Sequence, residues 1–269
     1  MRHEFIMSDR CFYQYAFALP EAAARQVGAG VDPRFNVEWI VGDGVAAMFS
    51  VVGSDFFDVK KLEGKTAEDI VWLQQVAMRH SEIVCEAARG SPTLPLRVGT
   101  LFRSKTSLLD TLGKHRAVVV DFLHELGDRQ EWAVKLYLPK TFIDQPSPNV
   151  SAVPSQHFPI PGAGAAYLRR RGDELQERRR REAEIQREIE TVDRLLSVSG
   201  GRRVRPLPSS LTGREGKMVF NAAYLLPASK AQAWITTVER VCESVGRKGV
   251  LLQVTGPWPP YHFCPALSS

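Results

Sequence analysis

The run Met218 to Leu226 (MVFNAAYLL) constrains the fold more than any other segment. Alternation puts Met218, Phe220, Ala222, Tyr224 and Leu226 on one face of a strand. Val219, Ala223 and Leu225 fall on the other, with Asn221 the one distinctly polar residue. A strand that is apolar on both sides belongs inside a sheet covered on both sides. Where helices cover one face of such a strand, something else, the aromatic tail or the other domain, should cover the opposite one.

The neighbouring patterns place that strand in an ordered unit. Glu131 to Leu138 (EWAVKLYL) alternates, with Trp132, Val134, Leu136 and Leu138 on one face. Residues 139–164 hold six prolines and read as a loop insertion. A charged helix is predicted from about Ala165 to Val198, broken by Gly200 and Gly201, followed by a short edge strand from Val204 to Leu207. An amphipathic helix spans Ser229 to Val245, carrying Ala233, Trp234, Val238, Val241, Cys242 and Val245. Gly249 to Thr255 makes the last strand. The order β-α-β-β-α-β is that of a ferredoxin-like fold.

The first half gives a similar order with a stunted first helix. Residues 11–18 (CFYQYAFA) read as a strand, and Glu21 to Val27 as one or two helical turns. Asn36 to Val41 and Val45 to Val52 form a hairpin across Gly42, Asp43 and Gly44. Thr66 caps a helix with Asp69 three residues on, and Ile70, Leu73, Val76, Ala77, Ile83, Val84 and Ala87 make its stripe. Thr93 to Phe102 is extended. Ser104 opens a second helix that buries Leu108, Leu112, Val119, Phe122, Leu123 and Leu126 and stops at Gly127.

These patterns predict an α+β chain of two domains. Residues 1–128 form an N-terminal α+β sandwich related to the second domain or a variant of it. Residues 129–256 form the ferredoxin-like domain, and the tail 257–269 packs back on the body through Trp258, Tyr261 and Phe263. At 269 residues, 44% hydrophobic and 24% charged, the chain is long enough for two cores and too apolar for disorder. No run reaches the roughly 18–20 apolar residues of a membrane helix. The N-terminus (MRHEFIMSDR) carries charges where a signal peptide is apolar. Cys11, Cys85, Cys242 and Cys264 make no CxxC pair, which predicts free thiols in a reducing cytosol and no zinc site.

The chemistry-bearing motifs are sparse. There is no GxSxG, GxxxxGK[ST], HExxH or GxGxxG after a strand, so no catalytic residue, cofactor site or metal site is predicted. His80 sits beside the apolar stripe of its helix and reads as a structural, hydrogen-bonded histidine. Arg97 interrupts an apolar extended segment and must reach water or pair with a carboxylate, or else contact a partner protein. Residues 167–205 hold twelve arginines and eight acids. Arg169, Arg170 and Arg171 invite contact with nucleic-acid phosphates, which makes a nucleic-acid-binding regulator the alternative reading. Acids interleaved at i,i+3 and i,i+4 favour a self-paired helix instead. Its apolar spacing (Leu168, Leu175, Ile189, Leu196, with Ile185 and Val192) predicts a first half that projects and a second half that packs.

Four segments together resemble the gas vesicle protein family GvpF/GvpL. They are Arg79 to Val84 followed by Leu94 to Phe102 (LPLRVGTLF), Glu131 to Tyr137, Asn221 to Pro227 (NAAYLLP), and Gly256 to Phe263 (GPWPPYHF). The family's extended segment commonly has Phe where this chain has Val98. The resemblance implies a non-enzymatic accessory or minor structural protein of gas vesicle formation, in the cytoplasm and at the vesicle. It would bind the hydrophobic shell protein GvpA and other accessory Gvp proteins, with no membrane and no nucleic acid. The matching positions it marks are His80, Arg97, Gly99, Asn221, Tyr224, Trp258, Tyr261 and Phe263. The charged helix with Arg169, Arg170 and Arg171 adds a candidate contact element.

Overall fold

A computed structural model describes residues 10–53, 55–56, 66–138, 163–199, 202–204, 212–213, 216–246 and 250–267. The mixed α+β class holds, with two five-stranded sheets. The chain divides into two units, residues 1–131 with 256–269, and residues 132–255.

In the first unit, β1 (Arg10–Ala18) is the central strand. β2 (Val37–Gly42) and β3 (Val45–Gly53) form the hairpin, and the sheet order is β2-β3-β1-β4, with β4 (Thr93–Pro95) and β5 (Leu101–Phe102) both against β1. The hairpin turn has Asp43 at φ 51° and Gly44 at φ 79°. Two positive φ values give the mirror-image turn whose twist matches that of the strands. The segment Pro20–Ala24 is a single 3-10 turn, shorter than the helix expected there.

α1 (Ala67–Ala88) starts with both halves of a capping box. Thr66 Oγ1 accepts from the Asp69 amide at 3.0 Å, and Asp69 Oδ2 accepts from the Thr66 amide at 3.1 Å, so the shorter Asp suffices. Ile70 does not join the buried stripe and stays 48% exposed; burial begins at Val76 and runs through His80, Ile83, Val84 and Ala87. α2 (Lys105–Leu126) buries all six expected apolar residues and ends at Gly127.

A bulge in β1 matters for packing. Register shifts between Gln14 and Ala16 opposite β3. The extra residue changes which parity faces α1, so Tyr13, Tyr15 and Ala16 all join one core with Met48, Val76 and Ile83. Gly30 fits against this core only because it lacks a side chain. A Cβ there would lie 2.5 Å from Ser50 Oγ and 2.8 Å from Tyr15 Oη. Those two hydroxyls are themselves hydrogen-bonded at 2.7 Å. Gly30→Ala is therefore expected to lower stability by about 1–3 kcal/mol, read from urea unfolding. A smaller loss would mean that the hydroxyl pair shifts aside freely.

In the second unit, β6 (Arg129–Leu138), β7 (Arg202–Val204), β9 (Gly216–Pro227) and β10 (Leu251–Trp258) run in the order β10-β6-β9-β7, and β8 (Thr212–Gly213) adds to β9. β7 precedes the expected edge strand by two residues; residues 205–207 lie outside the described set, as do Gly200, Gly201 and nearly all of the proline-rich stretch 139–164. β7 ends the strand order, the edge position expected for this segment. β10 runs three residues past its expected end at Thr255.

From Ala222 to Leu226, β9 is buried on both faces. α3 (Ala163–Ser199) is exposed at Leu168 and Leu175 and buried at Ile189, Val192 and Leu196. α4 (Ala228–Gly246) buries Trp234, Val238, Val241 and Val245, whereas Ala233, counted in its stripe, faces outward. Trp234 is the centre of this core. Its ring lies 5.5 Å from Tyr224 and 6.0 Å from Trp132, and its Nε1–H donates to the Leu196 carbonyl at 3.2 Å.

Candidate functional site

The residues marked in sequence do not gather at one place. His80, Arg97, Gly99, Tyr261 and Phe263 belong to the first unit. Asn221, Tyr224, Arg169, Arg170 and Arg171 belong to the second. Of the first group, His80, Arg97 and Tyr261 line a cavity.

The segment between β4 and β5 is the loop Leu96–Thr100, and a chain of hydrogen bonds fixes it. His80 is 1% exposed. Its Nε2 lies 3.1 Å from the Leu96 carbonyl, and its Nδ1 3.0 Å from Tyr13 Oη. A carbonyl only accepts, so Nε2 carries the proton and Nδ1 accepts from the tyrosine. The tyrosine oxygen in turn accepts from the Gly99 amide at 3.1 Å. Every donor meets an acceptor only with His80 neutral. Burial pushes its pKa down to about 4, opposed in part by the bond to Leu96. Burial also raises the Tyr13 hydroxyl above its ordinary value, against the hydrogen bond from Gly99. Gly99 has φ +84°, a conformation that a side chain disfavours, which explains a glycine at that position. His80 and Gly99 thus hold a loop. Arg97, at the tip of that loop, is exposed and reaches water, while its carbonyl accepts from the Thr100 amide and hydroxyl.

The C-terminal residues form another side of this region. Buried Glu131 accepts from the His262 amide at 2.9 Å and from its ring nitrogen Nδ1 at 2.7 Å. Phe263 is 5% exposed, whereas Trp258 and Tyr261 keep 39% and 38%. Trp258 closes strand β10, and Tyr261 sits in a turn with its hydroxyl on Ser81. Burial pushes that hydroxyl's pKa up to about 12, and the Cys264 thiol likewise to about 12, so neither is a ready nucleophile near neutrality. Truncation after Trp258 removes Phe263 and both partners of Glu131. The melting temperature is expected to fall by roughly 4–8 °C, and an unchanged value would show that these contacts do not hold the unit.

Loop and tail enclose a cavity of about 820 Å³. Phe17, Leu94, Val98, Phe102 and Leu267 give it apolar walls. Gln14, also in the wall, is fully buried, and both its side-chain nitrogen and oxygen lack a hydrogen-bond partner among the described residues. Sequence reading passed over Gln14. The one signal was a polar residue amid the aromatics of CFYQYAFA; alternation sets it on the face opposite Tyr13 and Tyr15 but does not say what covers that face.

In the second unit, Tyr224 is fully buried and its hydroxyl donates to Asp193 Oδ1 at 3.0 Å; Asn221 is half-buried. Arg169, Arg170 and Arg171 are exposed on α3, with Arg171 3.3 Å from Glu174 and Arg170 stacked over Tyr167. Farther along, Arg180 pairs with Glu184 at 3.7 Å. Among the described residues, no group of three or more His, Cys, Asp or Glu side chains is placed to hold a metal ion. Nor is any helix among them long and apolar enough to cross a membrane.

Comparison with known proteins covers almost the whole chain. A sequence model of the family described as gas vesicle synthesis protein GvpL/GvpF matches residues 11–265. Gas vesicle protein L of Streptomyces sp. (strain CB03234) is 31% identical over 265 residues, covering 95% of this chain and 93% of its own. Gas vesicle protein L of Haloferax mediterranei is 26% identical over 234 residues, covering 80% and 69%. Crystal structures of GvpF from Anabaena sp. PCC7120 and Microcystis aeruginosa share the fold with a TM-score of 0.63 each, at 17% and 15% identity. They cover 96% and 95% of this chain and 97% and 99% of theirs.

Proposed function

The chain belongs to the GvpL/GvpF family of gas vesicle synthesis proteins, and from that premise we propose that it serves vesicle formation as a binding partner of the shell protein GvpA and of other Gvp accessory proteins. The family match across residues 11–265 carries this reading. Its role is binding and assembly, not catalysis, in the cytoplasm and at the vesicle. A shell subunit with exposed apolar surface needs a soluble partner until it is incorporated, and apolar recesses with few placed polar groups suit that task. The cavity of the first unit and the exposed first half of α3 are the contact elements this reading favours. The second unit is read as ferredoxin-like, supported by its strand order β10-β6-β9-β7 with helices between β6 and β7 and between β9 and β10.

Deletion of the gene, in a strain without a paralogue, is expected to abolish or malform vesicles, and the tagged chain is expected to retain GvpA in a pull-down. Normal vesicles in that strain would overturn the assignment. The nucleic-acid alternative rests on the arginines of α3, and the pairs Arg171–Glu174 and Arg180–Glu184 weigh against it. Titration against DNA and RNA is expected to show weak binding even at 50 mM salt, where phosphate contacts are strongest. Tight binding that drops steeply with salt would favour the alternative.

A further inference from the structure

We propose that the cavity beside β1 binds an extended apolar peptide segment and that Gln14 pairs with the main-chain N–H and C=O of one residue of that segment. The inference rests on the reading of the chain as a partner of a hydrophobic shell protein. Its own support is local.

A buried carboxamide without partners is costly, because both its donor and its acceptor have left water. Folded proteins rarely keep such a group, so its persistence calls for a reason. The surroundings supply one. Gln14 forms part of the wall of a cavity whose 820 Å³ falls within the roughly 300–1,000 Å³ of ligand sites. The other walls are mostly apolar, and several of the polar groups among them are engaged: His80 bonds Tyr13 and Leu96, and the Thr100 hydroxyl bonds the Arg97 carbonyl, while the side chains of Arg97 and His115 also line the cavity. Gln14 is left with its two N–H donors and its acceptor oxygen to offer.

A carboxamide presents its oxygen and its N–H side by side. In an extended segment the N–H and C=O of one residue point to the same side, a unit whose donor and acceptor the carboxamide can meet through two hydrogen bonds. Apolar side chains flanking that unit would then fill the space between Phe17, Leu94 and Phe102. A cationic ligand fits poorly, since Arg97 also lines the cavity and Gln14 brings no negative charge. Val98, 37% exposed on the loop clamped by Gly99 and His80, marks the mouth.

The test uses the full chain and capped twelve-residue peptides that tile the shell protein, with binding read by fluorescence anisotropy. One or a few apolar peptides are expected to bind. Gln14→Leu removes donor and acceptor at similar volume and is expected to weaken that binding at least tenfold. Val98→Asp is expected to do the same from the mouth. Meanwhile the melting temperature of Gln14→Leu should stay or rise, because an unsatisfied amide has been replaced by an apolar group. A purely structural glutamine would give the opposite, a lower melting temperature with binding unchanged, and that result overturns the proposal. So does the absence of any binding peptide. Self-association of the chain that vanishes in Gln14→Leu would assign the cavity to a second copy and also overturn it. Intact GvpA retained equally by the wild type and by Gln14→Leu would reject the cavity while leaving the broader partner reading intact; no retention by either would reject both.

Discussion

Trp234→Ala is expected to lower the stability of the second unit by about 3–5 kcal/mol, a large share of the roughly 5–15 kcal/mol that holds a domain. The indole is fully buried between Tyr224 and Trp132, in a core built from β6, β9, α3 and α4. Truncation leaves a cavity that a sheet and two helices cannot collapse to fill. It also strips the Leu196 carbonyl of its indole donor at the last buried turn of α3. Urea unfolding followed by circular dichroism should show an earlier transition. Trp234→Phe keeps most of the ring and loses the hydrogen bond, so its loss should be smaller, about 1–2 kcal/mol. Equal losses for the two variants would mean that the hydrogen bond, not packing, dominates.

Acidification from pH 7 to pH 4 is expected to destabilise the first unit through His80 by on the order of 3 kcal/mol. The folded chain holds this histidine neutral down to about pH 4, while an unfolded one takes up a proton near 6.5. Between those values the unfolded state binds more protons, so stability falls as pH falls. Above about pH 6.5 the contribution is complete. Protonation at Nδ1 would turn the acceptor of Tyr13 into a donor, breaking the chain from Gly99 through Tyr13 and His80 to Leu96. His80→Gln offers an oxygen acceptor and a nitrogen donor that do not titrate there. Its stability should be nearly level across this window after subtraction of the remaining acid response. An identical slope in wild type and variant would remove His80 as the cause.

Much of the architecture is legible because local chemistry is specific. Thr66 with Asp69, and Ser104 with Ser107, mark helix starts by hydrogen bonds within four residues. Asp43 and Gly44 permit the turn between β2 and β3. The stripe Leu108 to Leu126 reports its own burial. Errors fall where a distant contact decides. Ile70 and Ala233 have the right spacing, yet nothing in their own helices says that they face outward. The 3-10 turn at Pro20–Ala24 stops short because Arg25 is already extended.

The candidate site was legible only in part. His80 and Gly99 stand out by position, but their joint role needs Tyr13, 67 residues from His80 and 86 from Gly99. Glu131 meets His262 across 131 residues. No local pattern encodes such pairs.

The sequence by itself therefore determined the α+β class, the order of most elements and membership of the GvpL/GvpF family, because periodicity, caps and motif order are properties of neighbouring residues. Only the tertiary structure decided that a bulge in β1 brings Ala16 into one core with Tyr13 and Tyr15, that no described residue pairs with the Gln14 side chain, and that the loop and tail close a cavity beside it. The reason is physical: a buried polar group is satisfied or stranded by atoms brought to it from far along the chain, and sequence spacing does not record where they arrive.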